Sequence, residues 1–214
     1  MIGKAFHQTQ LTLSSFCCPI LFVCLLLLVN TAQGTSVLGV SLEEMLNNSE
    51  FVFEGRVINV ESRMTDSGSY IHTYVVFDII EIIKGEYHND TIELSFAGGT
   101  VNGMTLSVGD MHLPEAGEKG VYFVESLSRT QVHPFYGWSQ GHLLIIKDAT
   151  GIERVTTQQK QPVMMVEPAI KRSQQQLSGG VAAGLVLGEG NDSYEGMSKS
   201  QFVQQLRGML RSQP

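Results

Sequence analysis

The stretch Tyr70–Ile83, with the sequence YIHTYVVFDIIEII, decides the fold class of this chain. β-branched and aromatic residues dominate it, and successive side chains of a strand point to opposite faces. The pattern therefore predicts one long strand that ends at Lys84-Gly85. Its two faces carry Ile71, Thr73, Val75, Phe77 and Ile79 on one side, and Tyr74, Val76, Ile80 and Ile82 on the other.

Further strand patterns lie on both sides of this stretch, and no strong helix pattern interrupts the region from Phe51 to Thr157. Turn residues such as Asp66–Ser69 and Asp148–Gly151 separate the strands, and Gly55 stands where a bulge or bend is expected. We expect a mainly β domain of six or seven strands over about 105 residues, as a small barrel or sandwich. The other predicted strands are Phe51–Val60, Thr91–Ala97, Met104–Val108, Val121–Leu127, His142–Lys147 and Ile152–Thr157.

Two short helices are predicted to flank the β region. Ser41 and Glu44 form a capping box at the start of the first, and Ser198 and Gln201 form another at the start of the second, which ends near Arg211. The apolar face of the second helix is expected to dock on the β domain, with partner binding as the alternative. That face consists of Phe202, Val203, Leu206, Met209 and Leu210.

The amino terminus has the three-part layout of a secretory signal peptide. Lys4 precedes an apolar run of 14 residues, 16–29, and the small-x-small pattern Ala32-Gln33-Gly34 follows it. A retained membrane anchor is the alternative, but a spanning helix needs roughly 17–25 apolar residues. We expect a secreted or periplasmic protein without stable membrane insertion after cleavage.

The domain organisation follows from these patterns and from a change of composition after Thr157. Residues 158–197 are rich in glutamine and glycine and lack a clear apolar period, which is typical of a flexible linker. The prediction is a signal peptide at 1–34, a β-barrel domain at 35–157, a linker at 158–197 and a helix at 198–214.

Charge and cysteine content exclude several classes of partner and site. All three cysteines lie inside the apolar run of the signal segment, so the mature chain forms no disulfide and has no thiol nucleophile. Without Lys4, 13 basic residues face 21 acidic ones, a formal charge of −8. Such a surface repels phosphate backbones and anionic membranes, so nucleic acid is not an expected partner.

No catalytic, cofactor-binding or metal-binding signature is present. The mature histidines lack the HExxH spacing of a zinc helix, and Ser139 lies in a GWSQG turn that a strand follows, unlike a nucleophile elbow. Gly98-Gly99 and Gly103 lack the lysine and helix of a phosphate loop, and we expect them to supply positive φ at a turn. The sequence thus predicts no cofactor and no metal, and it favours a protein that is not an enzyme.

One aromatic loop, His133–Trp138, is the candidate for partner binding. It contains Phe135, Tyr136 and Trp138, the only tryptophan of the chain. Loop aromatics beside a β domain often form a binding surface. They also fold over the core as a lid, and the sequence favours the lid.

The motif SEFVFEGRV at 49–57, followed by a polar turn, a threonine-containing strand and Ile83-Lys84-Gly85, resembles two groups of proteins. The closer group is a set of uncharacterised exported bacterial proteins, similar in the SLEEM helix, the GG turn, the GWSQG turn and the terminal helix. The more distant group is the tissue inhibitors of metalloproteinases and related netrin-like modules.

The resemblance implies an oligonucleotide/oligosaccharide-binding (OB-like) barrel that acts as a binding module. The inhibitor function does not carry over, because those inhibitors use an amino-terminal cysteine and this chain would begin at Thr35. We therefore expect an exported non-catalytic module that binds a protein or a glycan. The alternative is a hydrolase whose site combines His112, His133 and Ser139.

The first prediction is cleavage after Gly34. The apolar run is short and the small residues Ala32 and Gly34 precede Thr35, so amino-terminal sequencing of the exported protein should begin close to Thr35. Recovery of the uncleaved chain as an integral membrane protein would contradict the prediction.

Overall fold

A computed structural model describes residues 37–65, 67–109, 111–168, 177–188 and 196–212, which fall in one compact unit. The predicted signal peptide lies outside the described residues, as do 169–176 and 189–195 of the predicted linker. In the described part of the chain, no helix has the length and apolar character needed to cross a membrane.

The chain forms two α-helices, ten strands and one short 3-10 helix in the described residues. The helices are α1 (Leu42–Asn48) and α2 (Lys199–Arg211), and the 3-10 helix is Trp138–Gly141. The strands are β1 (Phe51–Met64), β2 (Ile71–Lys84), β3 (Thr91–Ala97), β4 (Gly99–Val101), β5 (Met104–Leu106), β6 (Lys119–Val124), β7 (His142–Lys147), β8 (Glu153–Thr156), β9 (Val163–Val166) and β10 (Leu185–Leu187). The protein is therefore mainly β, as the sequence predicts.

Six strands form one antiparallel sheet in the order β3-β2-β1-β6-β7-β8, and β4-β5 and β9-β10 form two small hairpin-like pairs. β1 pairs with β2 along its length but with β6 only over Phe51–Arg56. β3 and β8 lie at opposite edges, and no pairing in the described residues joins them. The predicted barrel is not detected as a closed one.

β1 and β2 bend because their pairing contains three register shifts. One lies at Glu54/Gly55, the bulge position that the sequence predicts. A Cβ at Gly55 would lie 2.5 Å from the ring of Phe53 and 3.1 Å from the carbonyl oxygen of Asp78. Glycine is required there because strand and ring approach more closely than a side chain permits.

One face of the sheet carries a core of aromatic rings, named here the aromatic core. Ring contacts run through it without a gap: Phe53 lies 5.4 Å from Tyr122, Tyr122 lies 5.3 Å from Phe135, and Phe96 lies 5.3 Å from Phe135. All of these side chains have 0 % exposure. Alternation along β1 and β2 adds Phe51 and Phe53 of β1 and Val75 and Phe77 of β2 to this face, as expected from the period of two.

The opposite face is covered by both helices and by the β9-β10 pair. Leu42, Met45 and Leu46 of α1 and Phe202, Val203 and Leu206 of α2 pack here against Val52, Phe123 and Val155. Helix α2 therefore docks on the sheet, and its capping box between Ser198 and Gln201 is formed in both directions. The first capping box is half formed, because Ser41 accepts from the amide of Glu44 while the Glu44 carboxylate contacts Tyr136.

The segment predicted as a linker contains two strands within its described residues. β9 and β10 pair with each other, Val163 is fully buried, and the amide of Met197 donates to the carbonyl of Val163. The two strands are short and apolar, and they are separated by many residues, so the sequence around each shows no clear alternation of apolar and polar residues. Composition alone consequently suggested flexibility where long-range pairing imposes order.

A buried carboxylate holds α2 to the sheet. The side chain of Glu54 in β1 has no exposure, and its oxygens lie 2.8 Å from Lys119 Nζ and 3.0 Å from Lys199 Nζ. Neither contact has good hydrogen-bond geometry, so the attraction is chiefly ionic. Glu153 accepts from Lys119, and Glu81 pairs with Arg207 of α2, so charges alternate from β8 to the helix.

Replacing this carboxylate should destabilise the protein strongly. Glu54→Gln leaves two lysines facing a neutral group in a buried place, and removing one partner of a buried ion pair costs about 3 kcal/mol or more. The free energy of unfolding in urea measures the effect. The matched control is Glu61→Gln, which removes an exposed pair with Arg63 and should change stability little. Equal, small effects in both variants would contradict the prediction.

Candidate functional site

The aromatic loop is anchored by Phe135. This residue forms a β-bridge with Val124, its ring is fully buried in the aromatic core, and the amide of Tyr136 donates to the carbonyl of Phe123. The amide of Ala97, at the end of β3, donates to the carbonyl of Val132. The loop thus lies between β6 and the end of β3, and Phe135, not Trp138, is the residue of the loop whose ring enters the core.

Trp138 is held in an unusual backbone conformation. Its φ is +60°, in the left-handed region that bulky residues avoid, and the preceding Gly137 has a φ of +68°. The indole stacks on the imidazole of His133 with ring centres 5.4 Å apart and planes 13° apart. Trp138 remains partly exposed, whereas His133 beneath it is buried.

Tyr136 is the second partly exposed aromatic residue of the loop. Its hydroxyl accepts from Asn48 Nδ2 at 2.9 Å and donates to Glu44 Oε1 at 3.3 Å, so it is tied to α1. Partial burial is the main cause that raises the pKa of Tyr136, with the charge of Glu44 adding to it. The hydroxyl therefore stays protonated as a hydrogen-bond donor at neutral pH.

Gln140 fixes the 3-10 helix that begins at Trp138. Its Oε1 accepts from the amide of Val40 at 2.9 Å, and its Nε2 donates to the carbonyls of Leu38 and Gly137 at 3.0 and 2.9 Å. The bonds with Val40 and Leu38 tie the loop to the segment before α1, and the bond with Gly137 lies within the loop. The aromatic loop is consequently rigid on both sides of Trp138.

The three residues that the sequence proposes for partner binding differ in the exposure of their side chains. Phe135 presents no side-chain surface, because its exposure is 0 %. Tyr136 and Trp138 are both accessible in part. The lid and the binding surface are therefore not exclusive alternatives, since one residue of the loop enters the core and two remain at the surface.

His133 is a buried neutral histidine beneath the tryptophan. Its Nδ1 accepts from the amide of Phe135 at 3.2 Å, and its Nε2 has no hydrogen-bond partner among the described residues. Burial, together with the charges of His142 and His112, lowers the pKa of His133 to about 3. The ring thus serves as an uncharged support for Trp138 at neutral pH.

A second polar cluster, which the sequence did not predict, lies next to the aromatic core. Glu118 Oε1 is 2.5 Å from His142 Nε2 and accepts from the hydroxyl of Tyr122 at 3.2 Å, while Gln158 Nε2 contacts His142 Nδ1. Burial and the charge of Glu118 raise the pKa of Tyr122 well above its usual value. The available signal was a histidine at the start of the strand HLLIIK, directly before four apolar residues.

The residues of the alternative hydrolase site do not meet. His112 is near enough to His133 to influence its pKa, but no hydrogen bond joins His112, His133 and Ser139 in the described residues. No group of three or more histidine, cysteine, aspartate or glutamate side chains within those residues has the arrangement of a metal site.

The chain matches no protein-family model, no curated protein and no solved structure at a significant level. Its site must therefore be interpreted from its own geometry.

The buried histidine makes a testable contribution to the pH dependence of stability. Because the pKa of His133 is near 3 when folded and about 6.5 when unfolded, the unfolded chain binds the extra proton between these values. The free energy of unfolding should fall with decreasing pH by up to about 1.4 kcal/mol per pH unit through this residue.

The comparison is with His133→Asn, whose Oδ1 replaces the Nδ1 acceptor without a titrating ring. Between pH 6 and 4, its stability should depend less steeply on pH than that of the wild type. His88→Asn, the same change at an exposed loop position, should keep the wild-type slope. Identical slopes in all three proteins would show that His133 is not held neutral.

Proposed function

We propose that this protein is an exported, non-catalytic binding module that holds a protein or glycan partner on its aromatic loop. The observation that carries the proposal is Trp138, which is partly exposed, held at a positive φ and stacked on a buried histidine. Tyr136 contributes a second partly exposed ring beside it in the chain.

Backbone strain supports this assignment. A bulky residue in the left-handed region costs about 1–3 kcal/mol, and such conformations persist where surrounding contacts impose them and often where function needs them. Here the contacts are the His133 stack and the bonds of Gln140. An aromatic side chain fixed before binding loses little entropy on binding, so it is an efficient anchor for a partner.

The Glu118–His142–Tyr122 cluster is the observation that favours an enzyme, but its geometry supports a structural role better. Both ring nitrogens of His142 are engaged, by Glu118 and Gln158, and Tyr122 has 0 % exposure. A general base needs a free nitrogen within reach of the proton that it removes. We therefore assign the cluster to buried polar packing.

We also propose that the six-stranded sheet is an incomplete version of the OB-like barrel of netrin-type modules. Support comes from the segment Val132–Tyr136, which bonds to Ala97 at the end of β3 and to Phe123 of β6. It thus connects the edge strand β3 with the end of β6, two strands that are not neighbours in the sheet. Loops beside the strands of OB-like barrels are common binding positions.

The sole tryptophan makes the proposal directly measurable. Fluorescence emission of the mature protein should change when a partner is added, and the probes are chitotetraose, cellotetraose and soluble peptidoglycan fragments. For protein partners, a photo-crosslinking phenylalanine analogue at position 138 is compared with one at Tyr70, which is 62 % exposed and outside the loop.

We expect Trp138→Ala to abolish the binding found with these probes, whereas Tyr70→Ala leaves it intact. Trp138→Ala should also cost less stability than Phe135→Ala, which empties a buried site and should cost about 3–5 kcal/mol. The proposal fails if none of the saccharides alters the emission and position 138 crosslinks no more than position 70.

A further inference from the structure

A groove of about 470 Å³ opens where β6 and β7 diverge, away from the aromatic loop. The two strands pair over Gly120–Tyr122 and His142–Leu144 only, and beyond this the start of β6 and the end of β7 separate. Charged side chains line much of the groove, namely Arg56, Glu115, Glu118, Lys119, Lys147, Glu153 and Lys160.

The strand register places several of these charges together. Arg56 of β1 lies opposite Lys119 of β6, and Lys147 of β7 lies opposite Glu153 of β8. Lys119 Nζ also lies 2.7 Å from Glu153 Oε1. The hydrogen bond from Lys119 is the main cause that lowers the pKa of Glu153, and the charges of Lys199 and Lys147 add to it. Cations thus surround Glu153.

The acidic and basic residues of the groove differ in how far they are already paired. Glu153 is bound by Lys119, and Glu118 is bound by Tyr122 and His142. In contrast, three exposed cations form no ion pair within 4 Å in the part of the chain that the structure describes. They are Arg56, Lys147 and Lys160.

We propose that this groove binds a small ligand carrying two or more carboxylate or phosphate groups. Three unpaired cations around one opening attract a compact multivalent anion, and the fork of Arg56 suits bidentate contact with an oxyanion. Lys160 lies in a turn and has a φ of +63°. The turn therefore fixes the point of the backbone from which its side chain projects. This inference does not depend on the aromatic loop.

A long polyanion fits the groove less well than a small one. The mature chain carries a net charge of −8, so the surface outside the groove repels a polymer that extends beyond it. Glu115 in the groove and Asp78, opposite Arg56 on β2, also limit the positive field to a short distance. Only a ligand that ends within the groove gains from the cations without this repulsion.

The test is calorimetric titration of the mature protein with citrate and with tripolyphosphate, at low and at physiological ionic strength. The triple variant Arg56→Gln, Lys147→Gln, Lys160→Gln should lose at least tenfold in affinity, and Glu115→Gln should gain affinity. Lys119 is left unchanged because it holds Glu54. The control Arg129→Gln removes an exposed cation outside the groove and should bind like the wild type.

Two results would overturn the proposal. One is the absence of binding of either anion at millimolar concentration and low ionic strength. The other is equal affinity in the triple variant and in Arg129→Gln, which would place the anion elsewhere. Tight binding of citrate but not tripolyphosphate assigns the site to carboxylates, and the reverse assigns it to phosphates; either result supports the site.

Discussion

The carboxylate of Glu54 is the constraint on which the arrangement of this protein depends. A charge in the middle strand of a sheet cannot be buried unless cations accompany it. One cation comes from β6 and the other from the first residue of α2, almost 150 residues later in the chain. Burial by itself would lower the pKa of Lys119, but the hydrogen bond to Glu153 and the attraction of Glu54 outweigh burial and raise it. The lysine therefore stays charged, and the apolar face of α2 must meet the sheet at one position.

A series of packed rings in one loop connects the aromatic core with the surface. Phe135 lies in the core, His133 contacts both Phe96 and Phe135, and Trp138 stacks on His133. The surface residue is thus the last member of a packed series and not a side chain free to rotate. The proposed recognition would therefore depend on stability, because a loss of packing at Phe135 would also release the support of Trp138.

Sequence patterns predicted the local elements well and the long-range ones poorly. The predicted bounds of β3 and β7, the bulge at Gly55 and the capping box of α2 agree with the structure, since each depends on neighbouring residues. Gly98, Gly99 and Gly103 have the predicted positive φ values; Gly98 lies between β3 and β4, Gly99 begins β4, and Gly103 lies in the turn between β4 and β5. In contrast, β9 and β10 form only because distant segments pair, and Glu118 meets His142 only through the register of β6 and β7.

The same distinction explains why the candidate site was found only in part. Aromatic residues beside proline and glycine indicated the loop, but which ring enters the core depends on the bridge between Val124 and Phe135, a tertiary contact. The charges of the groove could not be predicted for a related reason, because Arg56, Lys147 and Lys160 come from separate parts of the chain within a net acidic composition.

The two proposed sites also depend on different forces. Apolar stacking on Trp138 is nearly independent of salt, whereas attraction by exposed cations is screened beyond about 8 Å at physiological ionic strength. A ligand that reached both would therefore keep its contact with the loop and lose its contact with the groove as salt increases.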